Sequence, residues 1–349
     1  MGIDVELTIV EKPDMALIRD AYGASMDSYV KKNHTLGLFQ SQSSSSLGVT
    51  TNTQGDILPF FRRYFTKKSV ITYCDYPIAG HLIDCGDSDY AGVLQNMCLS
   101  SMASKCRDVY FKPARSAYEK MMANSTVLSN WEFSRRAFFK TFGVDSKVLH
   151  PPVDVDAFRN ASLSSDSRDN SILVTSRFHP SKTGEHVIRP ARLLKQKELG
   201  SCMNIVGNIS PGGAGYFKYL HHLVRNYGLE DFVRLETNAR FDRLVGLMCR
   251  SKVYVHPLPG EPFGISTVEA MSAGIIPVVP DIGSHSRFVL AIYQFHTYGQ
   301  GIDAVAAALG APVSERIQIS HSVQKYSTAN HFKWFQQIAA EVFDISKHL

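Results

Sequence analysis

The sequence predicts an α/β protein made of two parallel-sheet domains, and three observations carry the prediction. In the second half, β-rich runs at residues 171–176, 202–206, 232–236, 252–256 and 276–279 alternate with helical stretches, the pattern of parallel strands joined by helical crossovers. The run from Pro151 to Phe158 is expected to break regular structure before a polar run over 160–170, and it marks the best domain boundary. In the first half, residues 3–10 alternate like a strand and 14–30 hold enough apolar positions for a helix, so the chain also opens as an α/β unit. The expected domains are 1–155 and 166–325. A last helix over 328–345, with Phe332, Phe335, Ile338, Ala339 and Val342 on one face, is expected to carry 328–349 back to the first domain.

Composition narrows the class. A chain of 349 residues with 44% hydrophobic content supplies two cores. Its net charge of +5 is too mild to argue for nucleic acid. No run of ~18 apolar residues spans a membrane and the N-terminus lacks a signal-peptide pattern, so the expectation is a cytoplasmic protein. Arg62, Arg63, Lys67 and Lys68, interleaved with Phe60, Phe61, Tyr64 and Phe65, form a patch for peripheral contact with an anionic membrane face, or else a solvated helix face. Six cysteines without a C-x-x-C pair read as reduced core residues.

Taken in order, the first half continues with a serine-rich loop at 40–46 and strands at 47–53 and 69–74, each strand closed by a turn signal. A strand at 122–128 follows. Ser129 and Glu132 then fit a capping box for a helix running through Phe142, with a short strand at 147–150 before the prolines.

The stretch from His256 to Gly274 concentrates the chemistry. It lies between the strands at 252–256 and 276–279. Pro257, Pro259, Gly260 and Pro262 make its first part a loop, while Ile265, Val268 and Met271 give the rest one apolar helix face. Glu261 sits in the loop and Glu269 about a turn into the helix. Gly264 removes bulk where the first free N–H groups emerge, a place suited to an oxyanion or to sugar hydroxyls.

This segment resembles the Glu-x7-Glu signature of the retaining family 4 glycosyltransferases, whose GT-B architecture faces two Rossmann-like domains across a cleft. The resemblance covers residues 70 to 300 best and includes Asn124, Ser125 and the run from Lys147 to Asp154. It implies that Glu261 lies against a donor sugar, that Glu269 holds the nucleotide ribose, and that the backbone of Phe263, Gly264, Ile265, Ser266 and Thr267 positions the donor. Family members open with a strand, a glycine-rich loop and a helix before a segment similar to residues 2–7. Here the chain starts at that segment, so the N-terminal domain is expected to lack its first βα unit, which puts full activity in question.

The cations fit the same picture. Arg177 and Lys182 follow the strand at 171–176, where an arginine grips two phosphate oxygens and a lysine acts as a point charge. Their spacing resembles the family's diphosphate-binding pair, which would neutralise a departing diphosphate without a metal or other cofactor. Gly207 and Asn208, in a glycine-rich turn, and Asn238, at the end of the following strand, are expected beside the nucleotide, with simple turns as the alternative. Asp87-Ser88-Asp89 and Asp154-Val155-Asp156 end no strand of a nucleotide-binding unit and are not read as metal sites. Asp75 stands where many relatives have a histidine facing the sugar, or else caps the turn before Pro77.

The expected activity is transfer of a hexose from a nucleotide diphosphate sugar to a hydroxyl on a glycan or lipid-linked acceptor, with retention. The alternatives are a donor-binding protein with little turnover and a GT-B nucleotide-sugar epimerase.

Overall fold

The structure is a computed structural model and describes residues 47–52, 69–76, 125–163, 168–209 and 213–343. The expected strand at 3–10, the basic aromatic patch, Asp87-Ser88-Asp89 and the segment bearing on the first βα unit lie outside them.

Two all-parallel sheets organise these residues. The first has the order β1-β2-β3-β4, from Leu47–Asn52 (β1), Ser69–Cys74 (β2), Thr126–Ser129 (β3) and Lys147–Val148 (β4). Glu132–Phe142 (α1) connects β3 to β4. The second sheet has the order β10-β9-β8-β5-β6-β7. Its strands are Asp169–Thr175 (β5), Cys202–Gly207 (β6), Val233–Thr237 (β7), Ser251–Val255 (β8), Ile276–Pro280 (β9) and Gln294–Phe295 (β10). The last is a two-residue edge strand too short to leave a periodic signal. Val155–Leu163 (α2) enters this unit, and Glu185–Gln196 (α3), Ala214–Asn226 (α4), Phe241–Arg250 (α5) and Ile265–Ser272 (α6) link its strands. Tyr298–Leu309 (α7), Val313–Ser322 (α8) and Thr328–Phe343 (α9) close the chain.

A parallel sheet covered on both faces needs apolar side chains at successive positions, and β5 shows why its sequence reads as a run. Ile172 and Val174 pack into one buried cluster with Met203, Ile205, Val253 and Val278. Leu173, between them, packs into another with Val206, Met248, Tyr254 and Ala270. Period-2 geometry thus sends neighbouring residues into opposite cores. In the first sheet, Ile71, Leu128 and Leu149 form a buried cluster against Trp334, Phe335, Ile338, Ala339 and Val342 of α9.

Two local expectations are corrected. Ser129 is not a helix cap: it pairs with Cys74 in the β2–β3 ladder, and its hydroxyl lies 2.6 Å from that of Ser146. Trp131 takes the N-cap position of α1 with no side-chain cap, because strand pairing claims the serine first. Nor do residues 155–158 break regular structure. Asp154 Oδ1 accepts the Ala157 N–H at 3.2 Å, α2 starts at Val155, and Val155 and Phe158 are buried. A capping aspartate outweighs the two prolines before it, which stay outside the helix.

Arg168 shows a basic residue used structurally. Its guanidinium donates to the carbonyls of Met248 and Ser251, each at 2.8 Å, and to that of Ala273. Burial, followed by the nearby Arg316, pushes its pKa down to about 10.

Candidate functional site

Parallel sheets leave open crevices beyond the carboxyl ends of their strands, and the notable side chains gather there. Lys182 lies in the turn after β5, Gly207 ends β6, Asn238 follows β7, Glu261 lies in the loop after β8, and His285 follows β9. From the first sheet, Asp75 follows β2. It lies close enough for the Glu261 charge to act on it.

The Glu261 loop is pinned by backbone hydrogen bonds and by the packing of Phe263. Gly260 N–H donates to Ile282 O at 2.9 Å and Ser284 N–H donates to Glu261 O at 2.9 Å, while Ser284 Oγ donates to Pro262 O. Gly283 has φ of 110°, and a Cβ there would come within 2.7 Å of Glu261 N, so only glycine permits this contact. Gly264, with φ of 89°, turns the chain into α6. The Phe263 ring is buried beside Trp131, at 5.8 Å between centroids, and Tyr326, at 5.4 Å, which fixes the direction in which the loop leaves β8. Ile265 is exposed, whereas Thr267 is buried.

Electrostatics separates the carboxylates. Glu261 Oε2 lies 3.5 Å from Lys182 Nζ and 3.5 Å from His256 Nε2, ion-pair distances rather than tight hydrogen bonds. Burial alone would raise its pKa. Lys182 and the rings of His256 and His285 overcome that effect and hold the carboxyl well below the usual range. Glu269 moves the other way: burial first, and the Asp154 carboxylate second, push it up to about 7. No side-chain hydrogen bond from another described residue reaches the Glu269 carboxyl. Asp75 is pushed up to about 6 by burial and then by Glu261. An anionic Glu261 thus lies near Asp75, and Asp75 and Glu269 are carboxyls that can still carry protons near neutrality.

Arg177 is exposed and makes no ion pair with a described residue. Its loop is zipped to the end of β6: Ser176 N–H donates to Val206 O at 3.0 Å and Phe178 N–H to Asn208 O at 2.8 Å. Gly207 is obligatory here, since a Cβ would lie 1.9 Å from Ser176 O. Asn238, with φ of 55°, donates its N–H to Gly207 O at 3.1 Å. Gly207, Asn208 and Asn238 therefore share one rim with Arg177. Thr183, a β-branched residue at φ of 49°, follows Lys182 in a conformation costing ~1–3 kcal/mol, a strain of the kind found where a turn is held for function.

Sequence reasoning missed the buried polar side chains behind the loop. His285 is fully buried, and neither of its ring nitrogens has a hydrogen-bond partner among the described residues. It stacks edge-on against His256 with centroids 4.8 Å apart. Tyr254 donates its hydroxyl proton to Ser266 Oγ at 2.8 Å. The one available signal was a histidine ending a β-branched strand five residues before Glu261. On the other side of the loop, Val187, Leu194, Met203, Pro257, Pro259 and Tyr298 line a separate, mostly apolar cavity of about 500 Å³. It contains none of the predicted site residues. Among the described residues, no cluster of metal-ligating side chains occurs.

Comparisons with known proteins bear on the fold and the family. Residues 156–309 match the model of glycosyl transferases group 1, a span that contains Arg177, Lys182, Glu261 and Glu269. The chain is 25% identical over 294 residues to GDP-Man:Man(3)GlcNAc(2)-PP-Dol alpha-1,2-mannosyltransferase of Dictyostelium discoideum, covering 76% of this chain and 58% of that protein. It is 23% identical over 298 residues to the Homo sapiens protein of the same name, with the same coverage. D-inositol 3-phosphate glycosyltransferase 2 of Catenulispora acidiphila is 25% identical over 211 residues, or 54% of this chain and 49% of that one. The chain thus spans about half the length of these curated relatives, 58% of the first two and 49% of the third. Among solved structures, sucrose-phosphate synthase of Thermosynechococcus elongatus aligns with a TM-score of 0.61 at 18% identity, over 83% of this chain and 79% of that one. A glycosyltransferase from Rickettsia africae aligns with a TM-score of 0.56 at 14% identity, over 86% and 99%. The fold is GT-B, and the family match and named relatives support a GT-B glycosyltransferase.

Proposed function

We propose that the chain transfers a hexose, with retention, from a nucleoside diphosphate sugar to a hydroxyl of a lipid-linked glycan, as a family 4 enzyme using the Glu-x7-Glu pair. One observation carries the reading: a charge-clamped Glu261 and a Glu269 whose carboxyl receives no side-chain hydrogen bond from another described residue flank one helix start, on the same sheet edge as Arg177 and Lys182. Glu269 accepts the ribose hydroxyls, and Glu261 with the N–H groups of residues 263–266 orients the sugar. Arg177 and Lys182 stabilise the diphosphate as the anomeric carbon–oxygen bond breaks, and the acceptor oxygen attacks from the same face, passing its proton to the leaving phosphate. The names of the relatives favour GDP-mannose as donor and a membrane-bound acceptor, which the protein would meet as a peripheral visitor.

Arg177→Ala and Glu269→Ala are each expected to lower transfer by ~10²-fold or more, with turnover surviving EDTA. A thermal-shift panel of GDP-, UDP- and ADP-sugars identifies the donor. Wild-type turnover in both variants sinks the assignment. Asp75, a carboxyl where the family resemblance leads one to expect an imidazole, favours a second reading as a donor-binding protein with little turnover. Donor binding with no transfer to any acceptor would establish it.

A further inference from the structure

The buried histidines behind Glu261 have no part in the mechanism above, yet one of them, His256, lies 3.5 Å from its central carboxylate. Lys182 Nζ and His256 Nε2 both lie 3.5 Å from the same oxygen, Oε2; the lysine donates to it, whereas Nε2 stands at close approach with no hydrogen-bond partner among the described residues. Oε1 receives no hydrogen bond from any described residue, and the Glu261 side chain keeps 17% exposure. The carboxylate is therefore held by one oxygen and presented by the other. His256 is held in turn: it is buried, its Nδ1 lies 3.4 Å from Tyr254 Oη, and Tyr254 reaches Ser266 at 2.8 Å and Thr175 at 3.2 Å. Its other face packs on His285, which burial keeps neutral with a pKa pushed down to about 3. His285 Nδ1 stands 3.2 Å from the place a Cβ of residue 264 would occupy, so the ring also fills the space under the helix start.

We propose that His256 is a positioning residue that, together with Lys182, clamps Glu261 Oε2 so that Oε1 points at the hydroxyls of the donor sugar, making His256 a determinant of sugar affinity rather than nucleotide affinity. The inference rests on the reading of Glu261 as the sugar-facing carboxylate. A proton on Nε2 makes the approach attractive, and edge-on packing against His285 fixes the ring plane. Lys182 is shared with the diphosphate and is pulled toward it when donor binds, which leaves His256 as the holder that no ligand competes for.

The test measures GDP and GDP-mannose binding to the full chain by calorimetry, for the wild type and three variants. His256→Gln places an N–H near the Nε2 position, His256→Asn is too short to reach Oε2, and His256→Phe keeps the bulk without a donor. GDP affinity is expected to stay within about threefold in all three. The preference for GDP-mannose over GDP is expected to fall at least ~10-fold in His256→Phe and His256→Asn and to be largely retained in His256→Gln. Should His256→Phe fail to fold, the Asn and Gln pair still decides. An unchanged preference in His256→Asn, or equal loss of GDP and GDP-mannose binding in every variant, overturns the proposal. A wild-type protein that binds neither ligand overturns the donor reading beneath it, and a wild type that binds GDP with no gain from mannose overturns the proposal alone.

Discussion

Glu261 and Glu269 are eight residues apart, yet their environments drive them to opposite protonation behaviour. Glu269 at about 7 and Asp75 at about 6 both lie above ordinary carboxyl values. A raised folded-state pKa means that the stabilisation is complete below pH ~4 and is lost as pH rises through 6 and 7. Glu269→Gln should therefore melt about 2–5 °C higher than wild type at pH 8 and coincide with it at pH 4. The ribose hydroxyls need the carboxylate, so nucleotide affinity should climb as pH rises through 7. A flat binding profile from pH 5.5 to 8.5 would refute this part. Glu261 has the reverse sign, its stabilisation being present above the ordinary glutamate pKa and fading as pH falls below it. The sequence put Lys182 in the same cleft as the two glutamates, but neither its contact with Glu261 nor the histidines behind that residue were legible.

At the scale of elements, the strands of the second sheet were legible because burial on both faces demands unbroken apolar runs. Their boundaries agree within about two residues: the expected 202–206 is Cys202–Gly207, and 276–279 is Ile276–Pro280. The Ser129 cap was misread because a serine before a helix looks the same whether its hydroxyl caps or pairs with Ser146. Loop closure was also hidden. Gly283 follows a strand like any turn glycine, but its φ of 110° and its contact with Glu261 make it the fastener of the site loop. Gly283→Ala should destabilise the protein by about 2 kcal/mol and weaken donor binding as Glu261 shifts, checked by urea unfolding and by titration with GDP-mannose. Full retention of both stability and binding would show that the loop holds without this fastener.

At the scale of the molecule, the two sheets meet through rings. Trp131 lies 4.5 Å from His150, 5.8 Å from Phe263 and 5.7 Å from Phe288, joining the start of α1 to the site loop. Trp131→Ala is expected to cost about 3 kcal/mol and to weaken donor affinity, because Phe263 loses the ring that orients its loop. Calorimetric unfolding measures the first effect, and an unchanged melting temperature would show the cluster to be incidental. Sequence pattern indicated two parallel units and the crevice at their strand ends. The aromatic junction was not legible, since Trp131, His150, Phe263, Phe288 and Tyr326 come from five separate places in the chain.

The packing of α9 on Ile71, Leu128 and Leu149 has a consequence for biosynthesis. Strands β2 and β3 leave the ribosome well before the second sheet, but the helix that covers them emerges after every strand of that sheet. During translation the second sheet can close while this earlier patch still lacks its lid, so the units mature in the reverse of their order of synthesis. Until Thr328–Phe343 arrives, Ile71, Leu128 and Leu149 lack the cover this helix gives them and can engage chaperones, and a stalled or prematurely ended chain never gains it.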